Sequence, residues 1–188
     1  MTLTAPHYRV DGFANQRLCV VPRPQVEQAL ARPVTRSLTV TDAGWFPAAS
    51  GHRMRRAHGV QETIVLLCVS GGGFVSFAGE THVLSAGTGI VIPAGVTHEY
   101  RASDTAPWTI WWLHLAGGDL PELLRITRST SASPVRTLSD VFTAVALISE
   151  TITHLGRDTT TSSLLGASGA AWHLLALIAA DHPPGDER

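Results

Sequence analysis

Residues 87–98, GTGIVIPAGVTH, carry the clearest local signals of the fold. Gly87 allows a tight turn, a short β-rich run follows it, and Pro93 ends that run because proline has no N–H for a sheet ladder. Gly95 makes the next turn, and His98 begins the following strand. The stretch therefore predicts two neighbouring strands joined by a tight turn.

Similar short runs with two-residue hydrophobic periodicity occupy the chain up to residue 117 and are separated by Gly and Pro. They lie at 17–21, 36–41, 63–70, 74–78, 81–84, 89–93, 97–102 and 108–116. Closely spaced strands of this kind are typical of an all-β barrel or sandwich. In the last run the residues of both faces are apolar, so we expect both faces of that strand to be covered, one by the barrel interior and one by helices.

Beyond residue 117 the pattern becomes helical. A first amphipathic helix, capped by Ser139 or Asp140, carries Val141, Val145, Ile148, Ile152 and Leu155 on one face. A second helix carries an apolar stripe at the same spacing: Leu164, Ser168, Ala171, Leu175 and Ile178. We expect residues 1–117 to form the β domain with an N-terminal arm, residues 118–181 to form the helices, and residues 182–188 to be a linker-like tail, which suggests that a further domain normally follows.

The stripe on the second helix has two interpretations. It packs inside the subunit against the first helix and the sheet, or it forms the seam of a homodimer, which we favour because one sheet offers few places to bury two stripes. The uncharged part of this helix, 164–180, is interrupted by Gly and Ser and falls short of the roughly 20 mainly apolar residues that cross a bilayer. No membrane association is therefore expected.

Composition excludes several classes of protein. The chain has 188 residues, of which 44% are hydrophobic and 15% charged, so it can bury a core and is not of the disordered class. Its net charge is −1 and all 14 basic residues are arginines, which argues against nucleic-acid binding by this chain alone. The N-terminus lacks the charged and apolar regions of a signal peptide, so a cytoplasmic location is expected.

The pattern G-x5-P-x-G-x2-H of residues 87–98 resembles the second motif of cupin barrels, with Ala102 in place of its final Asn. The first cupin motif is met only in part, by Arg56, His58 and Glu62. An arginine in place of a ligand puts a cation beside the intended cation, so we expect no metal and no cofactor. The alternative is a metal-dependent cupin enzyme, a dioxygenase or isomerase, that uses His58, Glu62 and His98 as a two-His-one-carboxylate site.

A longer resemblance covers nearly the whole chain. Its elements are AGW at 43–45, R-x2-G-x2-E at 56–62, the run 87–100, and PW-x2-WW-x-H-x2-G at 107–117. Together they resemble the effector-binding, dimerisation domain of AraC-type transcription regulators. The resemblance implies a mainly β fold, a cupin-like barrel of the double-stranded β-helix or jelly-roll type followed by two C-terminal α-helices. It also implies a small-molecule effector, an arm that closes the pocket, homodimerisation, and DNA contact only through a C-terminal domain that is not in this chain.

The same resemblance implies a set of ligand-binding residues. The family's pocket arginine corresponds to Arg56 and its aromatic residues to Tyr100 and Trp112, while Ile110 stands in place of a pocket histidine. Strand alternation independently places His98 and Tyr100 on the same face of one strand, and Ile110 and Trp112 on the same face of another. A guanidinium that binds a carboxylate or hydroxyls among aromatic walls is typical of a small-molecule pocket. The alternative is a filled barrel in which the tryptophans are only core.

The sequence therefore leaves three candidate functions. A ligand sensor, binding a sugar or an organic acid, agrees best with the motifs. No nucleophile with an acid–base partner stands out, so catalytic residues are not predicted and an enzyme would have to be the metallo-cupin. A dimerisation module without a ligand is the third possibility.

Overall fold

The computed structural model describes residues 8–77, 79–127 and 134–181. Residues 1–7 of the expected arm and residues 182–188 of the expected tail lie outside this range. The described strands are β1 (Arg17–Val20), β2 (Thr39–Phe46), β3 (Arg53–Arg56), β4 (Thr63–Ser70), β5 (Gly72–Phe77), β6 (Glu80–Ser85), β7 (Thr88–Ile92), β8 (His98–Ala102), β9 (Thr109–Ala116) and β10 (Val135–Thr137). The described helices are α1 (Arg23–Leu30), α2 (Leu120–Ile126), α3 (Val141–Arg157) and α4 (Thr161–Ala180).

The strands form two antiparallel sheets. One has the order β1-β2-β9-β4-β7-β10 and the other the order β3-β8-β5-β6. A core of aliphatic and aromatic side chains lies between the two sheets and includes Ile64, Val75 and Trp108. The fold is mainly β, with two antiparallel sheets followed by C-terminal helices, which confirms the predicted mainly β class.

The stretch at residues 87–98 behaves as predicted. Gly87 and Gly95 have φ angles of +83° and +76°, in the left-handed region that favours glycine. Strand β7 ends immediately before Pro93, and β8 begins at His98. The two turns therefore place His98 at the start of β8 in the four-stranded sheet, with its side chain buried.

Strand β9 is covered on both faces, as its composition predicts. Ile110 and Trp112 belong to the core between the sheets. Leu113 and Leu115 belong to a second core, which lies between the six-stranded sheet and the helices and which Trp111 contacts. One strand therefore faces both the barrel interior and the helical layer.

Helices α3 and α4 form a hairpin that lies on the six-stranded sheet, where both contact β2. The Asp140 side chain accepts a hydrogen bond from the Thr143 N–H at the start of α3, which confirms one of the two predicted caps. The Thr160 hydroxyl accepts from the Ser163 N–H at the start of α4. A three-residue connection between the helices makes them antiparallel neighbours.

The stripe expected as a dimer seam is buried inside the single chain instead. Its five members are at most 5% exposed: Leu164, Ser168, Ala171, Leu175 and Ile178. They form part of the core beneath the helices, and the Ser168 hydroxyl donates to the Leu164 carbonyl oxygen within α4. The stripe is buried here because the outer face of a six-stranded sheet is wide enough to accept both helices.

Helix α4 is long and apolar enough, by length and composition alone, to cross a membrane. Half of its most apolar window is buried in the chain, as in a core helix. The face that remains exposed carries Leu165 and Trp172, which are 46% and 37% exposed. An apolar surface that no described residue covers therefore lies on the side of α4 opposite the buried stripe.

Candidate ligand-binding site

A cavity of about 120 Å³ lies between the two sheets at the end nearest the N-terminal segment. A single water needs roughly 10–15 Å³ on this measure, so the cavity holds on the order of ten water-sized groups. Its walls come from six strands and from the segment before β1. They are formed by Val10, Asp11, Leu18, Phe46, His52, Met54, Arg56, Leu66, Tyr100, Ile110, Trp112 and His114.

Four of the five predicted ligand-binding residues, Arg56, Tyr100, Ile110 and Trp112, line this cavity. Antiparallel pairing of β3 with β8 sets Met54 opposite Tyr100 and Arg56 opposite His98, all on the inner face. Alternation along β3 turns Arg53 and Arg55 outward, where Arg53 pairs with Glu99 at 2.8 Å. Of the three arginines on β3, Arg56 is therefore the one that reaches the cavity.

His98, the fifth predicted residue, is not in the cavity wall. Its ring stacks on Tyr100 with centroids 5.9 Å apart, and its Nδ1–H donates to the Val96 carbonyl oxygen at 2.7 Å. Burial lowers the pKa of His98, and the positive charge of Arg56 lowers it further. The His98 ring is thus uncharged and packs behind the Tyr100 ring. It also borders a separate open groove of about 510 Å³ near the β5–β6 turn.

Trp112 forms one wall of the cavity because Gly44 on the neighbouring strand leaves room for its ring. A Cβ atom on Gly44 would lie only 2.4 Å from the Trp112 ring. Phe46 packs against the same indole edge to face, with centroids 5.4 Å apart. The predicted wall of aromatic rings is therefore present, and it depends on a glycine.

His52 is a wall residue that the sequence analysis did not single out. The Trp108 indole N–H donates to His52 Nδ1 at 3.2 Å, so the neutral ring carries its proton on Nε2. Burial lowers the pKa of His52 to about 4. At neutral pH His52 is therefore an uncharged hydrogen-bond donor in the cavity wall.

Tyr100 and Arg56 supply the other polar groups on this side. Burial raises the pKa of Tyr100 to about 12, although the nearby charge of Arg56 acts in the opposite direction. The phenol therefore stays protonated and available as a donor. The Nε of Arg56 is buried and has no hydrogen-bond partner among the described residues.

His114, also in the wall, belongs to a charged cluster at the cavity's edge. Its Nδ1 lies 3.5 Å from Asp42 Oδ2, and the Thr41 hydroxyl donates to the same oxygen at 2.7 Å. Burial raises the pKa of Asp42, but the hydrogen bonds from His114 and Thr41 outweigh that effect and the pKa is lowered. Arg23 of α1 pairs with both Asp42 (3.4 Å) and Glu62 (3.1 Å).

The segment before β1 lies at the mouth of the cavity. The Arg9 N–H donates to the Gly51 carbonyl oxygen at 3.0 Å, and the Arg53 N–H donates to the Arg9 carbonyl oxygen at 3.1 Å. These bonds place Val10 and Asp11 in the cavity wall. Both residues are also exposed to solvent, so they form the rim of the entrance.

The alternative metal site is not assembled. His58 is exposed, and Glu62 is paired with Arg23. His98 is buried elsewhere and bonded to Val96. Across residues 8–77, 79–127 and 134–181, no three His, Cys, Asp or Glu side chains are grouped as metal ligands.

Sequence comparison finds two transcription regulators. The chain is 32% identical over 101 residues to the MmsAB operon regulatory protein of Pseudomonas aeruginosa, a match covering 52% of this chain and 33% of that protein. It is 35% identical over 57 residues to the lactose operon transcription activator of Staphylococcus xylosus, covering 30% of this chain and 20% of that protein. The chain thus matches a third or less of the length of each relative.

Among solved structures, the chain is similar to an RmlC-like cupin from Shewanella frigidimarina, with 24% identity and a TM-score of 0.33 over 46% of this chain and 73% of that one. The family model for the AraC-like ligand binding domain matches residues 46–175, more than half of the chain. This match includes β3, β8 and β9, which carry the predicted residues of the cavity wall. The chain belongs to the AraC-like ligand-binding domain family.

Proposed function

We propose that this chain is the effector-sensing and dimerising part of a cytoplasmic AraC-type transcription regulator, and that a small polar molecule, a sugar or an organic acid, binds in the cavity. The observation that carries the proposal is an aromatic-walled cavity between the two sheets, open at its N-terminal end, that is lined by Arg56. Apolar walls with a few fixed polar groups are the usual design of small-molecule sites. DNA contact would be made by a separate domain with helix-turn-helix units.

Two strands connect the cavity to the helices. Leu18 of β1 lines the cavity, while its neighbours face α3: Arg17 donates to the Ser149 hydroxyl at 3.3 Å, and the Cys19 thiol lies 3.6 Å from the Ile152 carbonyl oxygen. On β9, Trp112 lines the cavity, and Trp111 stacks on Trp45 on the helical side at 5.4 Å. A ligand that shifts Leu18 or Trp112 would therefore shift the surface on which the helices lie.

The mechanism we propose is a population shift. The effector favours one placement of the N-terminal segment and helices, and that placement changes how the paired DNA-binding domains are presented. A typical coupling free energy between two such sites is about 1–3 kcal/mol. An effector need only bind one placement more tightly than the other by that amount.

Dimerisation in this proposal uses the exposed side of the helical hairpin. Leu165, Gly169, Trp172 and Ala176 form an uncharged line along α4, and Phe142 at the start of α3 is 90% exposed. Glycine and alanine in such a line let a second helix approach closely, and the larger side chains supply apolar area. The buried stripe that includes Leu175 would then hold the hairpin to its own sheet.

A binding screen tests the proposal. The purified chain is heated with each member of a panel of pentoses, hexoses and short organic acids, because a compound that binds the folded state raises its melting temperature. At least one class should stabilise the chain, and Trp112→Leu should remove that shift. The matched control Trp172→Leu changes an exposed tryptophan and should keep it. A panel without any stabilising compound would contradict the sensor function.

A further inference from the structure

The guanidinium of Arg56 has no counter-charge among the residues that the structure describes. None of the ion pairs among the described residues includes it. Glu99 pairs with Arg53 and Arg55 on the outer face, and Asp42 is held by Thr41 and Arg23. Asp11, at the rim of the cavity, forms no ion pair with Arg56 among the described residues. A partly buried cation without a partner is unfavourable, so this position favours binding of an anion.

The other polar groups of the wall are mostly donors. His52 is neutral with its proton on Nε2, and Tyr100 keeps its phenolic proton. The Nδ1 of His114 is directed to Asp42. Within the described part of the wall, Asp11 is the one carboxylate, and it lies at the exposed rim.

The excess of hydrogen-bond donors over acceptors in the wall discriminates between a sugar and an organic acid, the two ligand classes of the proposed function. A sugar presents several hydroxyl protons, each of which needs an acceptor when buried, and the interior of the wall offers few acceptors. A carboxylate presents only acceptors and pairs with a guanidinium through two parallel hydrogen bonds. The rest of the interior wall is apolar: Phe46, Met54, Leu66, Ile110 and Trp112.

We infer that the effector is a small organic acid whose carboxylate pairs with Arg56 and whose apolar body packs on Phe46, Ile110 and Trp112. The inference rests on the proposed function, because it names the chemistry recognised by the same cavity. The cavity limits the body to a short acyl chain or a single ring, since about 120 Å³ holds on the order of ten water-sized groups.

The experiment compares acids with neutral molecules of the same shape. Butyrate and benzoate are titrated against butyramide and benzamide, with L-arabinose as a neutral polyol, and binding is measured by calorimetry and by tryptophan fluorescence. At least one acid should bind ten times more tightly than its amide. Equal affinity for acid and amide, or binding of the polyol alone, would overturn the inference and leave the sensor function standing. No binding of any probe would overturn the proposed function as well.

Two arginines that are adjacent in sequence but face opposite sides of β3 provide the control. Arg56→Gln should weaken binding of the acid at least tenfold and leave the amide unaffected, while Arg56→Lys should keep part of the preference. Arg55→Gln removes the same charge from the outer face, where the side chain is 74% exposed, and should change neither affinity. Circular dichroism establishes that each variant is folded. If Arg55→Gln and Arg56→Gln had equal effects, the preference would come from net charge and the inference would be wrong.

Discussion

The Trp112 indole lies so close to Gly44 on the adjacent strand that a methyl group at Gly44 would fall 2.4 Å from the Trp112 Cζ2 atom. The two residues are paired across β2 and β9. Since Trp112 is also a wall of the cavity, the size of residue 44 sets how far the indole extends into the space available to a ligand.

Gly44→Ala should therefore push the indole into the cavity. Overpacking of this kind typically destabilises a protein by about 1–3 kcal/mol, and here it should also weaken ligand binding. Urea unfolding and ligand titration measure the two effects. Gly118→Ala is the control, because a Cβ atom at that position meets only the Arg36 carbonyl oxygen at 3.9 Å. Unchanged ligand affinity in Gly44→Ala would contradict the assigned position of the indole.

Protonation of His52 should destabilise the fold as the pH is lowered. Burial depresses the pKa of this side chain in the folded state from 6.5 to about 4, so between these values the unfolded chain binds the extra proton. Stability is then fully present above about pH 6.5 and is lost towards pH 4, by about 3 kcal/mol for a shift of this size. Burial also lowers the pKa of His98, which adds a loss of the same sign.

Urea unfolding at pH 7.5 and pH 5 measures this dependence. The His52→Gln variant should show a smaller loss of stability between the two values than the unaltered chain. Asp42 does not interfere, because its pKa is lowered from 3.8 and its contribution is lost only below this window. An identical loss in both proteins would show that His52 is not the group responsible.

The two faces of α4 should respond differently to a charge. Leu165→Glu, on the exposed face, should convert a dimer to folded monomers, as measured by light scattering with an unchanged circular dichroism spectrum. Leu175→Glu places an unpaired charge at a position that is 1% exposed and should unfold the domain. A dimer that survives Leu165→Glu would exclude this face as the seam.

Two glycines of α4 should give opposite effects when replaced by alanine. A Cβ atom at Gly166 would lie 2.5 Å from the His154 ring, whereas one at Gly169 meets nothing within 4 Å. Gly166→Ala should destabilise the helical hairpin, and Gly169→Ala should stabilise the helix by up to about 1 kcal/mol. Both are measured by urea unfolding in the Leu165→Glu variant, so that assembly makes no contribution. Stabilisation by both changes would show that the His154 ring moves aside for a Cβ atom at Gly166.

Much of the fold could be predicted because its signals are local. Glycine and proline in residues 87–98 mark turns by their own backbone restrictions, and the run 108–116 shows its two apolar faces by alternation. Helix α1 was missed because Pro22 and Pro24 suggest a loop, whereas proline is well tolerated in the first turn of a helix. Strand β3 was missed because Arg-Met-Arg-Arg has no visible hydrophobic alternation.

The site was predicted less completely because position within a barrel depends on distant residues. Alternation correctly places His98 on the inner face, yet it cannot show that the ring lies behind Tyr100 rather than beside the cavity. His52 carries no local signal, since its role depends on the N–H of Trp108, 56 residues away. The apolar stripe of α4 was visible, but its spacing does not distinguish a partner in the same chain from one in another.

Strand β9 turns Trp112 into the cavity and its sequence neighbour Trp111 towards the helical layer. Side chains that line the cavity and side chains that contact the helical layer thus alternate along the same strand. A library that varies Phe46, Leu66, Ile110 and Trp112 leaves every helix-facing side chain unaltered. Under the proposed function, the domain would serve as a scaffold for biosensors, because the residues that contact the effector can be exchanged while those that contact the helices are kept.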